Sequence, residues 1–226
     1  MREKKAMTLL MVVSLIVCLI FYGLVQHVAL SYTLSSLSKV VLFGVVGCVY
    51  YYITTKRNPL EMVFKKNEFG HFKLSLGIGL GVLLIIWIAY FAFKSLIDLN
   101  LITRELLTSS NITANTFPYV ALYITIGNSF LEEIFFRGFI FLQIYGMGYK
   151  KTAYIFSSGL FAIYHVSIFK TWFNPLIFIL CLSGLFIGGL IFNYINVKSK
   201  SILNSWFIHA CANVAIMAIG VMMFYF

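Results

Sequence analysis

Long apolar segments alternate with short polar segments along the whole chain. Each apolar segment is long enough to cross the ~30 Å hydrocarbon core of a bilayer as a helix, for which about 20 residues are needed. The segments are too long and too continuous for the strands of a membrane barrel, which contain about ten alternating residues. Because a helix satisfies its own backbone hydrogen bonds, it is the structure expected in lipid. The segments lie at about 6–30, 37–55, 72–97, 118–145, 152–169, 176–196 and 202–226.

The composition makes lipid the main solvent of this chain. Of its 226 residues, 61% are hydrophobic and only 11% are charged, and the mean hydropathy is +0.94. A soluble domain carries about 25% charged residues. We therefore predict an all-α fold, a polytopic transmembrane helical bundle of about seven spans (seven to eight). The first segment follows Arg2, Lys4 and Lys5 and is longer than the apolar core of a signal peptide, so we expect a retained anchor helix.

The basic residues predict membrane topology and no nucleic-acid partner. The net charge is +10, but Lys and Arg lie in the short loops between the apolar segments. A cytosolic N-terminus places twelve of them on the cytosolic side and four on the other, as the positive-inside rule requires. The C-terminus is then expected outside, and the loop 56–71 is expected to lie on anionic headgroups. The cytosolic set is Arg2, Lys4, Lys5, Lys56, Arg57, Lys65, Lys66, Lys73, Lys150, Lys151, Lys198 and Lys200, and the other set is Lys39, Lys94, Arg104 and Lys170.

Three charged residues lie near the middle of the fourth segment, and no other charge is predicted deep within a span. They are Glu132, Glu133 and Arg137. Each charge at the centre of a bilayer costs roughly 2.5–3.5 kcal/mol on insertion scales, so such residues are usually paired and functional. Glu133 and Arg137 are four residues apart and share a helix face, where they can pair. Glu132 is rotated by about 100° from Glu133 and can therefore face a different neighbour, such as a water molecule.

Three further polar residues lie in other apolar segments and are candidates for the same site. His165 is deep in the fifth segment, and His209 and Asn213 lie four residues apart in the last one. Polar groups in lipid pair with one another, so we expect these side chains to converge on Glu132 and Glu133. A carboxylate beside an imidazole can hold and deprotonate a water. A His and an Asn can donate to a developing oxyanion, a contribution of about 3–4 kcal/mol per donor.

These residues resemble the three motifs of a known family. Glu132-Glu133 with Arg137, then Phe161 with His165, and then His209 with Asn213 are similar in order and spacing to the motifs of the CAAX protease and bacteriocin-processing (CPBP, or Abi) family. That family includes the type II CAAX prenyl endopeptidases. The motifs lie within the C-terminal part of the chain. We therefore divide the bundle into N-terminal helices with a cytosolic loop (1–117) and a CPBP-like catalytic core (118–226).

The resemblance implies a mechanism for an intramembrane glutamate endopeptidase. Glu132 would be the general base, with His165 helping to hold the water. His209 and Asn213 would form the oxyanion hole, and Glu133 and Arg137 would orient the site. The family was long regarded as metalloproteases, and a Zn²⁺ ion would have Glu132, Glu133, His165 and His209 as its ligands. We favour a reaction without a metal or another cofactor, because H-E-x-x-H is absent and Arg137 opposes a dication.

The substrate is left open by the sequence. The resemblance implies a peptide or protein in contact with membrane lipid, either lipidated or a precursor of a bacteriocin or pheromone. Thirteen Lys against four Arg, with many Phe and Ile, resembles the coding of an AT-rich Gram-positive genome and favours a bacterial plasma membrane. Bacteriocin self-immunity or a membrane scaffold acting without proteolysis is the alternative function. A proton-coupled transporter is less favoured, because the chain shows no internal repeat.

Overall fold

The chain folds into a bundle of long helices. The computed structural model describes residues 2–28, 31–59, 61, 71–169 and 171–226, and these contain eight helices and no strand. Most of the loop 56–71, which was predicted to lie on headgroups, falls outside the described residues. Lys170 also falls outside them. The helices are α1 (Arg2–Gln26), α2 (Tyr32–Thr55), α3 (Phe72–Leu96), α4 (Leu99–Ser110), α5 (117–146), α6 (Lys150–Phe169), α7 (Pro175–Ser199) and α8 (Ile202–Tyr225).

Six helices in the described part of the chain are long and apolar enough to cross a membrane, namely α1, α2, α3, α6, α7 and α8. The seventh predicted span is α5, which carries Glu132, Glu133 and Arg137. Its helical path is continuous, but it widens to π-helical hydrogen bonding at Tyr123–Asn128 and at Glu133–Phe141. Such segments are rare and often mark functional sites. The predicted all-α polytopic bundle, with a span count near seven, is confirmed, and the protein is an integral membrane protein.

Local sequence signals define where several helices begin and end. The α2 helix begins after Ser31, whose hydroxyl accepts the Leu34 N–H, and α7 begins after Asn174, whose side chain accepts the Ile177 N–H. Such caps satisfy donors that have no partner within the helix. The α7 helix ends at Lys200, whose φ of 54° is in the left-handed region that stops a helix. These polar ends leave the apolar interiors free to lie in lipid.

One predicted loop is wrong in part. We expected a loop at about 98–117, between the third and fourth apolar segments, but α4 occupies much of it. Asp98 caps this helix by accepting the Leu101 N–H, and Ile102 and Leu106 turn inward from the same face. Because only one side of α4 is apolar, its hydropathy is low and a search for continuous apolar segments does not detect it.

Aromatic side chains fill the centre of the bundle around the polar residues. The buried core joins residues of the N-terminal helices to residues of α5, α6, α7 and α8. The Phe43 ring of α2 stacks on Phe135 of α5 with centroids 4.4 Å apart, and Tyr164 of α6 packs against Phe43 at 5.3 Å. The N-terminal helices and the motif-bearing helices therefore share one core.

Candidate active site

The structure brings five of the six predicted site residues into one buried cluster. Glu132 and Glu133 come from α5, together with Arg137, and all three are at most 1% exposed. His165 comes from α6 and His209 from α8, and their Nε2 atoms lie 3.7 Å and 3.8 Å from Glu132 Oε2. We expected these side chains to converge from three helices, because polar groups buried in lipid are costly unless they pair with one another. Their chemical roles remain predictions.

The two oxygens of Glu132 have different surroundings. Oε1 accepts from Asn128 Nδ2 at 2.8 Å, from the Tyr164 hydroxyl at 3.1 Å and from Lys39 Nζ at 3.3 Å. Oε2 is buried and has no hydrogen-bond partner among the described residues. A buried acceptor without a partner is costly, and it is usually satisfied by a water molecule or a ligand. Glu132 thus presents one saturated oxygen and one oxygen open to a small polar molecule.

Both histidines are oriented through Nδ1, so that Nε2 faces Glu132. His165 Nδ1 lies 2.7 Å from the Phe161 carbonyl oxygen, and His209 Nδ1 lies 3.0 Å from Glu133 Oε1. A carbonyl or carboxylate oxygen can only accept, so each Nδ1 carries the hydrogen of that bond. In a neutral imidazole the opposite Nε2 then has a free lone pair. These bonds place a hydrogen on each Nδ1 and aim both Nε2 atoms at Glu132 Oε2.

Glu133 links His209 to a buried cation. Its Oε2 accepts from the Ser205 hydroxyl at 2.6 Å, and its Oε1 lies 3.4 Å from Arg137 Nη1. The guanidinium carbon of Arg137 lies 4.1 Å from the centre of the Phe161 ring and 4.8 Å from that of Phe192. Arg137 is therefore within cation–π distance of two aromatic rings, an arrangement that suits its weakly hydrated cation. Phe161 packs at the site, as expected from its place in the second motif.

Asn213 lies one turn beyond His209 on α8 and is mostly buried. Its side-chain nitrogen donates to the Ile124 carbonyl oxygen at 3.1 Å. Ile124 belongs to the first π-helical segment of α5. This hydrogen bond fixes the Asn213 amide between α5 and α8, outside the direct contacts of the five clustered residues.

Lys39 is a site residue that the sequence analysis missed. We expected it in an outer loop and counted only three charges deep in the spans. In the structure Lys39 lies within α2 and is buried against Glu132, so both expectations are wrong. The one feature of the sequence that indicated a place for Lys39 within a helix was its position two residues inside the second apolar segment. A lysine near the end of a span usually extends its ammonium group to the interface, which is why that signal was not decisive.

The cluster is balanced in charge. The carboxylates of Glu132 and Glu133 face the cations of Lys39 and Arg137 at 3.3 Å and 3.4 Å, respectively. Buried charges in proteins are tolerated when they are paired and hydrogen-bonded. Lys39 and Glu132 meet this condition. The Arg137 nitrogens have no hydrogen-bond partner among the described residues, and that cation is compensated by the Glu133 charge and the two aromatic rings.

The predicted alternative ligand set fits a metal ion poorly. Within the described ranges, no group of three or more His, Cys, Asp or Glu side chains is arranged to hold a metal. Both Glu133 oxygens are engaged by Ser205, His209 and Arg137, and one Glu132 oxygen is engaged by Lys39. A Zn²⁺ ion usually requires at least three protein donors within about 2.3 Å. The donor chemistry therefore supplies no basis for a step through a metal.

The comparison with protein families agrees with the three motifs. The model of one family, described as Rce1-like type II CAAX prenyl endopeptidase, matches residues 114–215, which include all six predicted site residues. Searches of curated proteins and of solved structures find no match. The resemblance to the CPBP family is therefore confirmed over this part of the chain: residues 114–215 match the Rce1-like type II CAAX prenyl endopeptidases.

Proposed function

We propose that this protein is an intramembrane endopeptidase in which Glu132 activates a water to hydrolyse a peptide bond. The family match implies a protease that acts on a peptide or protein. The observation that carries the mechanism is the unpaired Glu132 Oε2, which faces His165 Nε2 at 3.7 Å and His209 Nε2 at 3.8 Å. These gaps are too long for direct hydrogen bonds. A water about 2.8 Å from two of these atoms bridges such a gap.

The water has a defined set of partners at this place. Glu132 Oε2 and the lone pair of His165 Nε2 are both acceptors, so each can take one hydrogen of the water. The oxygen lone pairs then point away from Glu132 and His165, toward an incoming carbonyl carbon. Because the water and the base are already held in the reactive orientation, the entropic part of the activation barrier is smaller.

The reaction follows from this arrangement. The water oxygen bonds to the carbonyl carbon of the scissile amide while its proton moves to Glu132 Oε2. The carbonyl oxygen becomes an oxyanion in a tetrahedral intermediate. Collapse of that intermediate breaks the C–N bond, and Glu132 returns the proton to the leaving amine. General acid–base catalysis of this kind contributes about 10²- to 10⁴-fold to the rate.

His209 and Asn213 are the proposed oxyanion donors. As an oxyanion donor, His209 would need a hydrogen on Nε2 as well as on Nδ1, and the Glu133 carboxylate beside Nδ1 would offset the positive charge. The Asn213 nitrogen carries two hydrogens, of which one goes to the Ile124 carbonyl, so the other remains to donate. Glu133 and Arg137 do not contact the substrate in this proposal. Glu133 orients His209, and Arg137 pairs with Glu133.

The cleavage test uses an internally quenched peptide that ends in a farnesylated CAAX sequence, with the purified protein in lipid nanodiscs. Glu132→Gln keeps the shape of the side chain and removes the base, so kcat should fall by about 10²- to 10⁴-fold. His165→Ala should also lower kcat. Glu3→Gln, an exposed position on α1, is the matched control.

Full activity of Glu132→Gln would overturn the general base. A bacteriocin precursor in the same assay separates peptide processing from prenyl-protein processing. If the chain protects cells from a bacteriocin and protection survives Glu132→Ala and His165→Ala at normal protein levels, the function is immunity without proteolysis.

We also propose a cytosolic N-terminus and an outer C-terminus, in a bacterial plasma membrane. With Lys39 moved into the bundle, the outer set falls to Lys94, Arg104 and Lys170 against the same twelve cytosolic residues. The corrected count thus strengthens the charge asymmetry that supports this orientation. Green fluorescent protein fused to the N-terminus should fluoresce, whereas alkaline phosphatase should be active only at the C-terminus. The opposite pattern would reverse the orientation.

A further inference from the structure

A chain of hydrogen bonds connects α2 to one oxygen of Glu132. Lys39 Nζ donates to Asn128 Oδ1 at 2.6 Å, and Asn128 Nδ2 donates to Glu132 Oε1 at 2.8 Å. Lys39 Nζ also reaches Glu132 Oε1 directly at 3.3 Å, and the Tyr164 hydroxyl donates to the same oxygen at 3.1 Å. Three side chains from three helices therefore converge on a single carboxylate oxygen.

The Lys39 ammonium group is largely removed from solvent and is surrounded by protein groups. Its side chain is 11% exposed, and Nζ lies 5.3 Å from the centre of the Phe21 ring and 5.2 Å from that of Tyr164. Aromatic faces attract a desolvated cation, but they do not replace its lost hydration on their own. An ammonium in this position is stabilised mainly by the Glu132 charge and the Asn128 oxygen. The pairing in turn stabilises Glu132 as an anion, the form that a base requires.

The two charged neighbours of Asn128 agree on the direction of its side-chain amide. An amide can present either its oxygen or its nitrogen to a neighbour, and an ammonium group can only donate. Lys39 therefore requires Oδ1 on its own side, and the Glu132 carboxylate, which can only accept, requires Nδ2 on the other side. With Oε1 satisfied by Nδ2, Tyr164 and Lys39, the carboxylate is held with Oε2 toward the histidines.

We infer that Lys39 is a positioning residue for the proposed reaction, and that it holds Glu132 ionised and oriented through Asn128 and Tyr164. This inference rests on the proposed role of Glu132 as the base. Lys39 lies in α2, outside residues 114–215 that match the family. The N-terminal helices thus contribute a charge to the site, and the segment that carries the motifs does not complete it alone.

The kinetic test compares Lys39→Met, Lys39→Arg and Glu132→Gln on the farnesylated quenched peptide. Lys39→Met preserves length and removes the charge, so we expect kcat to fall by about 100-fold with little change in KM, as misplacement of a reacting group does. Lys39→Arg retains the charge and should recover at least a tenth of the wild-type kcat. Lys94→Met is the matched control, because Lys94 is an exposed residue at the end of α3.

A purely structural Lys39 would give a different pattern. Loss of activity would then follow loss of folded protein, and the kcat per folded molecule of Lys39→Met would equal the wild-type value. A fully folded Lys39→Arg variant that does not recover kcat would also overturn the inference. Full activity of Lys39→Met also overturns the inference. If Glu132→Gln is inactive in the same assay while Lys39→Met is fully active, the inference fails and the proposed function survives. If Glu132→Gln retains activity, the proposed function itself fails.

A thermal unfolding cycle tests the pairing without any substrate. Lys39→Met leaves Glu132 as an uncompensated buried charge, so Tm should fall. Adding Glu132→Gln to Lys39→Met removes that charge and should restore part of the lost Tm. Equal losses in the single and the double variant would show that Lys39 and Glu132 do not compensate each other, and would overturn the inference even if the peptide is not cleaved.

Discussion

Replacing Arg137 with Met would remove the cation that compensates Glu133 inside the bundle. Arg137 is fully buried, and its Nη1 lies 3.4 Å from Glu133 Oε1. Its guanidinium carbon also lies 4.1 Å and 4.8 Å from the centres of the Phe161 and Phe192 rings. Met keeps an unbranched apolar stem but is shorter, so the substitution removes the charge together with the ring contacts of the guanidinium group.

The size of the effect follows from these contacts. Removing one partner of a buried ion pair costs about 3–5 kcal/mol, because the other charge is left without compensation. Arg137→Lys retains the charge and weakens the cation–π contacts with the two rings, so it should cost less, about 1–2 kcal/mol. Glu133→Gln added to Arg137→Met removes the uncompensated carboxylate and should recover more than 1 kcal/mol, roughly the lower part of the coupling range for contacting residues.

The assay is reversible unfolding in mixed micelles, followed by far-ultraviolet circular dichroism as the fraction of denaturing detergent rises. The matched control is Arg104→Met, because Arg104 is exposed on α4. Its effect should stay within about 0.5 kcal/mol of the wild type. An unchanged unfolding midpoint for Arg137→Met would refute the reasoning. So would strictly additive losses in the double variant, since they would mean that Glu133 and Arg137 do not interact.

Three further outcomes test the packing, the oxyanion donors and the metal question. Gly189→Ala should lower the free energy of unfolding by about 1–3 kcal/mol, because the added Cβ would lie 2.9 Å from Ser158 Cβ and 3.0 Å from Ser158 Cα. Gly188→Ala is the control, because a Cβ at Gly188 meets nothing within 4 Å. Asn213→Ala should lower kcat by about 10²- to 10³-fold with KM nearly constant, as loss of an oxyanion donor does; a rise in KM alone would argue for a role in substrate binding. Cleavage of the quenched peptide should persist after dialysis against a chelator such as 1,10-phenanthroline, and loss of activity restored by added Zn²⁺ would contradict the metal-independent reaction.

Much of the site was accessible from the sequence because intramembrane charge is so costly. Glu132, Glu133 and Arg137 stand out within an apolar segment, and His165 and His209 were selected by the same argument. The Glu133–Arg137 pair follows from helical spacing and is present at 3.4 Å. The two π-helical segments of α5 had no comparable signal, because hydropathy and residue spacing do not distinguish π-helical from α-helical hydrogen bonding.

The sequence by itself determined the all-α membrane bundle, the approximate span limits and the polar residues of the motif-bearing helices. Hydropathy and helical spacing are local properties of the chain, so they can be read without a structure. Lys39 and Asn128 are 89 positions apart, and α4 is only half apolar, so no local pattern predicts their contacts. Only the tertiary structure decided that Lys39 lies against Glu132, and that Glu132 has one saturated and one open oxygen. The physical reason is that a hydrogen bond depends on the distance between side chains from different helices, which packing of the whole bundle sets.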